Sequence, residues 1–200
     1  MDAGRAAAGH VVVADEQTEG RGRFGRDWRS PLGGLYATYV VPPRPAIALA
    51  AGVALLRALD RLSVAASLKW PNDVLVGEKK LGGILAETAG RVVLVGIGIN
   101  LRDAPLETAT SLAAAGGATR RGELVVAIGE ELAAPRAREE VLSTYRDRSA
   151  TLGRAVRVTL ASGETIDGTA VDMGDDGQLL IETGSGVRTV SSGDCAHLRA

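Results

Sequence analysis

The segment 16–28 constrains this chain more than any other, because it places three glycines and three arginines in one loop. The apolar run at 11–14 precedes it and is expected to form a short buried strand. Glycine lets a backbone approach a ligand closely, and Arg21, Arg23 and Arg26 carry planar cations that suit carboxylate and phosphate groups. Trp28 adds a flat apolar face. We therefore interpret the segment as an anion-binding loop, with a solvated basic loop as the alternative.

The glycines of this loop also spell the G-x-G-x-x-G pattern of dinucleotide-binding proteins, at Gly20, Gly22 and Gly25. That pattern requires a helix that begins on the loop and an acidic residue about 20 positions later. Here Pro31 and two more glycines follow the loop, and residues 28–59 contain no Asp or Glu. The context of a dinucleotide site is therefore missing.

The bulk composition is 46% hydrophobic and 24% charged, with a net charge of −1. It predicts a globular chain without a nucleic-acid or membrane partner, since a DNA-binding protein would carry a basic excess. Cys195 is the only cysteine, which excludes an internal disulfide and fits a cytoplasmic location. With only His10 and His197 beside it, no convincing metal site or catalytic triad is expected.

Hydrophobic periodicity predicts the elements of the first three quarters of the chain. Pro45 is expected to open a core helix, and Gly9 to close the tail of an earlier one. Predicted helices occupy 46–62, 122–132 and 135–149, with a short helical piece near 111–115 and a helix tail at 5–8. Predicted strands occupy 11–14, 35–41, 67–76 with a corner at 71–73, 81–87 and 91–101.

The pattern changes after Leu152. Short alternating segments separated by glycine turns predict a small antiparallel barrel, with a domain boundary near 152–153. The predicted strands are 156–160, 165–171, 178–182 and 187–190.

Three further loops carry unusual polar residues, and each has a simple structural alternative. Lys69 begins a Lys-Trp-Pro-Asn-Asp corner, in which Asn and Asp often bond their own turn backbone. Lys79 and Lys80 form a pair that is typical of a solvated turn. The stretch 96–100, Gly-Ile-Gly-Ile-Asn, is also compatible with a β-bulge.

Taken in order, the four segments closely resemble the biotin–protein ligases. The matching sequences are Gln-x-x-Gly-Arg-Gly-Arg-x-Gly-Arg-x-Trp, Lys-Trp-Pro-Asn-Asp, Lys-Leu-Gly-Gly-Ile-Leu and Gly-Ile-Gly-Ile-Asn-Leu, between residues 11 and 101. The resemblance implies an α+β fold. A mixed-sheet catalytic domain of the class II synthetase-like type would occupy 1–151, and an SH3-like β-barrel would occupy 152–200.

The resemblance also implies a two-step reaction. Biotin and ATP form biotinyl-5′-adenylate and pyrophosphate, and the biotin is then transferred to a lysine of a carrier protein. Mg²⁺ is expected to be bound to the triphosphate of ATP. Because the biotin carboxylate is already ionised at pH 7, the first step needs cationic donors rather than a general base. The implied donors are Arg23, Arg26, Lys69 and Lys80.

Individual contacts follow from the same resemblance. Lys80 is expected to meet the biotin carboxylate and the α-phosphate, and Arg23 the carboxylate and the phosphates. The implied biotin-binding residues are Gln17, Arg21 through its backbone, Gly22, Arg23, Lys80, Gly83, Gly96 and Gly98. The implied nucleotide-binding residues are Arg23, Arg26, Trp28, Asn72 and Asn100.

The second step requires a neutral lysine, whereas a free lysine with a pKa near ~10.4 is almost wholly charged at pH 7. We hypothesise that Asp73 accepts its proton. The expected partner is a biotin carboxyl carrier domain of acetyl- or propionyl-CoA carboxylase. A homodimer through the strand at 92–101 stays open.

The chain departs from the family in one respect. The resemblance implies a strand with a Ser-Thr-Asn stretch before the helix tail at 5–8, and this sequence begins after it; a helix-turn-helix domain is absent too, so a repressor role is not supported. Two alternatives therefore stay open: an active ligase whose start is mis-set, which we favour, and a weak or inactive binder of biotin and adenylate. A lipoate–protein ligase is a third, disfavoured interpretation.

Overall fold

Residues 7–198 are described by the structure, a computed structural model, and within them three α-helices and eleven strands are present. The helices are α1 (Ile47–Asp60), α2 (Arg121–Ala133) and α3 (Arg138–Asp147). One sheet contains β1 (Val11–Ala14), β2 (Leu35–Val41), β3 (Ser67–Lys69), β4 (Asp73–Val76), β5 (Lys79–Ala89) and β6 (Val92–Ile99). The other contains β7 (Ala155–Thr159), β8 (Thr165–Met173), β9 (Leu179–Thr183), β10 (Gly186–Val190) and β11 (Asp194–His197).

The larger sheet has the strand order β1-β2-β6-β5-β4-β3, and each neighbouring pair is antiparallel. Two isolated parallel bridges, Leu68–Ser149 and Lys80–Ala109, add a mixed character at its margins. The α+β prediction is confirmed.

Strand β6 shows how this sheet separates its two faces. Its residues Val93, Val95, Ile97 and Ile99 are buried, whereas Gly96 and Gly98 alternate with them and lie on the opposite face. Helix α1 covers the buried face, and ten of its residues are themselves buried, as expected for a helix that is apolar on all sides. The glycine face of the sheet is therefore the one left for a ligand.

Two predictions about this part of the chain are wrong. Strand β1 exists, but Val11, Val12 and Val13 are each more than 40% exposed, because β1 is the edge strand of the sheet. The helical piece near 111–115 is a set of turns, since Gly116 takes a positive φ of 79° and stops the first turn from continuing.

The predicted helix tail at 5–8 falls partly on residues outside the described range. Only its last two residues are described, and a turn at Ala8 and Gly9 follows, with Gly9 at a φ of 97°. None of the helices within 7–198 is long and apolar enough to cross a membrane, and a cytoplasmic location stays a prediction.

The smaller sheet has the order β10-β9-β8-β7-β11 and is antiparallel throughout. Strands β7 to β10 were predicted from the sequence, but β11 was not. Trp70 joins the two sheets: its ring is 1% exposed and its Nε1 donates to the carbonyl of Gly177 at 2.9 Å. The domain boundary at 151/152 stays a prediction.

Candidate functional site

One cross-strand row organises the ligand face of the larger sheet. The register pairs Lys69 with Asp73, Asp73 with Gly83, Gly83 with Gly98, and Gly98 with Tyr36. Directly paired residues of an antiparallel sheet share a face, so these five residues lie side by side. Because the two central residues are glycines, the row forms a trough without side chains on its floor, bounded by Asp73 and Lys69 on one side and Tyr36 on the other.

The segment 17–30 folds as a narrow antiparallel ribbon. The backbone N–H of Gln17 donates to the carbonyl of Ser30, that of Trp28 to Gly20, and that of Gly22 to Arg26. A Cβ on Gly20 would overlap the Trp28 carbonyl oxygen, so this position requires glycine. A 3-10 turn at Arg23–Gly25 closes the tip. The sequence thus fixes the loop that carries the three arginines.

Trp28 extends from this ribbon onto the floor of the trough. A Cβ added to Gly98 would lie 2.5 Å from the indole Nε1, and one added to Gly83 would lie 3.4 Å from the ring. The indole Nε1 is buried and has no hydrogen-bond partner within residues 7–198. The glycine floor, predicted to carry the apolar part of biotin, is therefore in contact with Trp28 in this structure.

Lys80 lies at the rim of the same trough. Its Nζ is 2.5 Å from Oδ1 of Asp73 and 5.1 Å from the centroid of the Trp28 ring, within the range of a cation–π contact. Both members of the ion pair are partly exposed, with side chains 34% and 23% accessible. The structure thus brings together three residues from separate predicted motifs, with the ammonium group held beside the floor.

Arg23 and Arg26, at the tip of the ribbon, reach the end of the smaller sheet. Arg23 Nη2 donates to Ser192 Oγ at 2.6 Å and its Nη1 to the Gly193 carbonyl at 3.3 Å. Arg26 Nη1 lies 3.0 Å from Oδ1 of Asp194. Burial, followed by the charge of Arg26, lowers the pKa of Arg23. The predicted phosphate-binding arginines are therefore positioned by residues of the C-terminal sheet.

The charge of Lys69 acts on two residues of β11. Burial raises the pKa of the Cys195 thiol to about 11, and the charge of Lys69 opposes this shift. Burial lowers the pKa of His197 to about 4, and the charges of Lys69 and Arg154 add to that shift. The His197 Nε2 also lies 3.1 Å from the Thr151 hydroxyl oxygen, so this histidine is held by a neutral partner.

A cavity of about 620 Å³ lies against the ribbon. Gln17, Arg21, Trp28 and Ser30 are among its lining residues. The Gln17 Nε2 donates to Ser30 Oγ at 2.8 Å, and the Ser30 hydroxyl is 3.2 Å from the Trp28 carbonyl oxygen. Two of the predicted biotin-binding residues thus line one cavity, next to the indole that contacts the trough.

Two predicted nucleotide-binding residues make structural bonds. Asn72 Nδ2 donates to the carbonyl of Ile84 on β5 at 2.9 Å, so its amide bonds a neighbouring strand and not the backbone of its own turn. Asn100 is 4% exposed and its Nδ2 donates to the Thr110 carbonyl at 3.0 Å; the Thr110 N–H in turn donates to the Lys80 carbonyl at 2.9 Å. A role of either residue in holding the nucleotide stays a prediction.

Sequence reasoning missed Tyr36, Ser30 and Ser192. Tyr36 lies in a strand whose aromatic residues also fit a core, and its hydroxyl donates to the Pro31 carbonyl at 2.8 Å. Serines give no sequence signal unless they stand in a recognisable motif. Within residues 7–198, no group of three or more His, Cys, Asp or Glu side chains is placed to hold a metal ion.

Comparisons with known proteins agree along the whole chain. Residues 3–102 match the family described as "Biotin/lipoate A/B protein ligase family", and residues 151–198 match "Biotin protein ligase C terminal domain". A biotin--[acetyl-CoA-carboxylase] ligase of Mycobacterium tuberculosis is 38% identical over 96% of this chain and 80% of its own length. The protein of the same name from Paracoccus denitrificans is 37% identical over 90% and 86%. The solved biotin protein ligase from Aquifex aeolicus in complex with biotin and ATP has a TM-score of 0.85 and 31% identity, covering 98% of this chain and 91% of that one.

Proposed function

The chain belongs to the biotin/lipoate A/B protein ligase family, and we propose that it is a biotin–protein ligase. It activates biotin with ATP to biotinyl-5′-adenylate and then transfers biotin to a lysine of a biotin carboxyl carrier domain. The observation that carries the proposal is the glycine-floored trough, with Lys80 at its rim and the arginine ribbon beside it. The Trp28 indole on the glycine floor and the Lys80 ammonium group beside it place apolar surface next to a cation, which suits an apolar ring with an anionic tail.

In the first step the biotin carboxylate oxygen attacks the α-phosphorus of ATP, and pyrophosphate leaves. Charge develops on the α-phosphate oxygens, and fixed cationic donors stabilise this charge. Lys80 supplies an ammonium group at the end of the glycine floor, where the carboxylate is expected to lie. Arg23 and Arg26 supply guanidinium groups from the ribbon tip. An Mg²⁺ ion carried by ATP would neutralise the β- and γ-phosphates.

In the second step the amine of the carrier lysine attacks the acyl carbon of the adenylate, and AMP leaves. A proton must also leave the attacking ammonium group. The 2.5 Å contact between Asp73 and Lys80 supports a positioning role for Asp73, since its carboxylate already holds the Lys80 ammonium group. That Asp73 also accepts the proton of the carrier lysine stays a hypothesis.

The proposal is tested by ATP-dependent labelling of a carrier domain. The chain is incubated with a biotin carboxyl carrier domain, radiolabelled biotin, ATP and Mg²⁺, with reactions lacking ATP and a Lys80→Ala variant as controls. We expect label on the carrier only with ATP and only weakly with the variant. A version extended upstream in frame is run in parallel, because the two open alternatives, an active ligase with a mis-set start and a weak or inactive binder, predict different labelling by it.

Two results would change the assignment. If neither version labels the carrier while calorimetry detects adenylate binding, the chain is a binder and the ligase proposal fails. If lipoate is transferred to its own carrier domain and biotin is not, the lipoate alternative replaces it. Exchange of radiolabelled pyrophosphate into ATP, measured with biotin alone, tests the first step separately from the choice of carrier.

A further inference from the structure

Phe24, at the tip of the ribbon, is an exposed aromatic residue with an unusual backbone conformation. It is the only phenylalanine in the chain, it is 51% exposed, and its φ and ψ are 56° and 32°. Two other non-glycine residues within 7–198 have a positive φ, Ala46 and Ser63, and neither has a large side chain. A left-handed backbone is strained for a bulky residue, and such strain is concentrated at functional sites.

Another residue would suit this turn better. Phe24 and Gly25 both have a positive φ, and the Arg26 N–H donates to the Arg23 carbonyl at 3.2 Å. This is the left-handed geometry of a type I′ turn, whose first central position favours Asn, Asp or Gly. The turn therefore gives no reason for a phenylalanine, and the ring has to be explained by what it contacts.

The ring has a charged neighbour within the ribbon. The Arg23 guanidinium carbon lies 4.9 Å from the centroid of the ring, within the range of a cation–π contact. This contact covers only part of the ring, because Phe24 stays half exposed. Aromatic residues and arginine are both enriched where proteins contact one another. An exposed ring beside a guanidinium group therefore indicates a contact surface for a protein.

The ribbon tip lies at the end of the trough where the chemistry is expected. Burial lowers the pKa of Arg23, and the charges of Asp194 and Asp73 oppose this shift. Because charges are screened over short distances, the tip is close to Asp73. Asp73 in turn contacts Lys80, where the biotin carboxylate and the α-phosphate are expected to meet. A macromolecule that brings a lysine to this point has to approach beside the tip.

We propose that Phe24 is a docking contact for the carrier domain, with its ring packed against an apolar side chain beside the acceptor lysine. The proposal rests on the ligase function above, because only the second step involves a carrier. The phenyl ring has no group that binds a proton or a phosphate, so its role is confined to docking. Phe24 is therefore expected to affect recognition of the carrier and not the formation of the adenylate.

The test replaces Phe24 by Asn, which suits the turn and removes the ring. Biotin transfer is measured with a biotin carboxyl carrier domain at varied concentration, and the first step by pyrophosphate exchange without carrier. We expect Phe24→Asn to lower kcat/KM for the carrier at least ~10-fold through KM, with kcat changed less than about threefold. Exchange should change less than about twofold, and the free energy of unfolding should not decrease, because the turn favours Asn.

Three controls separate docking from other roles. Phe24→Tyr keeps the ring and should keep kcat/KM for the carrier within about threefold of the wild type. Val126→Asn removes an apolar side chain that is 60% exposed on α2, which packs on the buried face of the sheet at Tyr39, and should leave carrier recognition unchanged. Hydroxylamine is a small acceptor that needs no docking surface: its nitrogen attacks the acyl carbon of preformed adenylate and AMP leaves. It should react equally with the adenylate on the wild type and on Phe24→Asn.

An unchanged kcat/KM for the carrier in Phe24→Asn overturns the proposal, and a changed oligomeric state in sedimentation would then assign the ring to a contact between two copies. A parallel fall in pyrophosphate exchange or in stability also overturns it, because Phe24 would then support the ribbon. Failure of the ligase function gives a different result. In that case the wild type shows no pyrophosphate exchange at any biotin concentration, and the docking proposal fails with it.

Discussion

The indole of Trp28 rests on Gly98, and a Cβ at position 98 would lie 2.5 Å from the indole Nε1. Gly98 thus has a specific steric role: it lets an aromatic residue of the ribbon reach the centre of the sheet. The same contact sets Trp28 beside Lys80, whose ammonium group lies over the ring. The trough, the ribbon and the lysine therefore form one packed unit.

Gly98→Ala is expected to displace Trp28 from the floor. The affinity for biotin should fall at least ~10-fold, because the added methyl group overlaps the indole and displaces it from the surface proposed to hold biotin. Gly129→Ala, in α2, is the control: its Cβ would meet Tyr39 at 3.5 Å, an ordinary contact outside the trough. Calorimetric titration with biotin measures both variants. Equal effects of the two substitutions would contradict the role given to Gly98.

Asp73→Asn separates the two roles proposed for Asp73. If Asp73 positions Lys80, the variant loses about 10-fold or more in pyrophosphate exchange, since an amide holds the ammonium group less strongly than a carboxylate. If Asp73 acts only as a base, exchange is unchanged and transfer from preformed adenylate falls. Single-turnover transfer and exchange are measured on the same preparation. We expect exchange to fall; transfer that is unchanged would refute the base hypothesis.

Stability should decrease as the pH falls below about 6.5. The pKa of His197 is lowered to about 4 in the folded protein, while an unfolded histidine has a pKa near ~6.5. Between these values the unfolded chain binds a proton that the folded chain does not. The free energy of unfolding therefore decreases as the pH falls from about 6.5 towards 4. Urea unfolding at pH 7 and pH 5 measures the drop. His197→Gln should flatten it, whereas exchange of the exposed His10 for Gln should leave it in place.

Trp70→Phe is expected to lower the free energy of unfolding by about 2–4 kcal/mol. The substitution removes the indole N–H that donates to the Gly177 carbonyl. It also leaves a cavity, because Trp70 is only 1% exposed and the phenyl ring is smaller than the indole. Urea denaturation measures the loss. Val126→Ala, at a side chain 60% exposed, serves as the control and should change stability by less than about 0.5 kcal/mol. A loss below about 1 kcal/mol for Trp70→Phe would argue against the bond.

The sequence indicates candidate site residues, but it does not indicate the residues that hold them in place. Glycines and charged residues in ordered spacing single out Arg23, Lys80 and Gly98, because each motif has few structural reasons to exist. Ser30 and Ser192 act by holding other residues, and their partners are decided by tertiary contacts that spacing does not reveal. The helices and all strands but one were predicted from periodicity.

The errors in the fold have physical causes as well. Strand β1 is predicted to be buried because it is wholly apolar. Its residues are exposed because the strand lies at the edge of the sheet, which its sequence does not indicate. Strand β11 was missed because four residues with one buried cysteine between polar neighbours give too short an alternation. Asn100 is predicted to hold the nucleotide because it follows a glycine-rich strand; its bond to the Thr110 carbonyl is a tertiary contact that the sequence did not indicate, and the role stays a prediction.

The bonds from Arg23 and Arg26 to Ser192, Gly193 and Asp194 join parts of the chain that are far apart in sequence; Arg23 and Gly193 are 170 residues apart. Closing a loop of this length costs conformational entropy before the contact contributes any stability. The backbone bonds within the ribbon span far fewer residues, so the ribbon can form before its arginines have these partners. We therefore expect a refolding chain to acquire its positioned arginines late, after both sheets have formed.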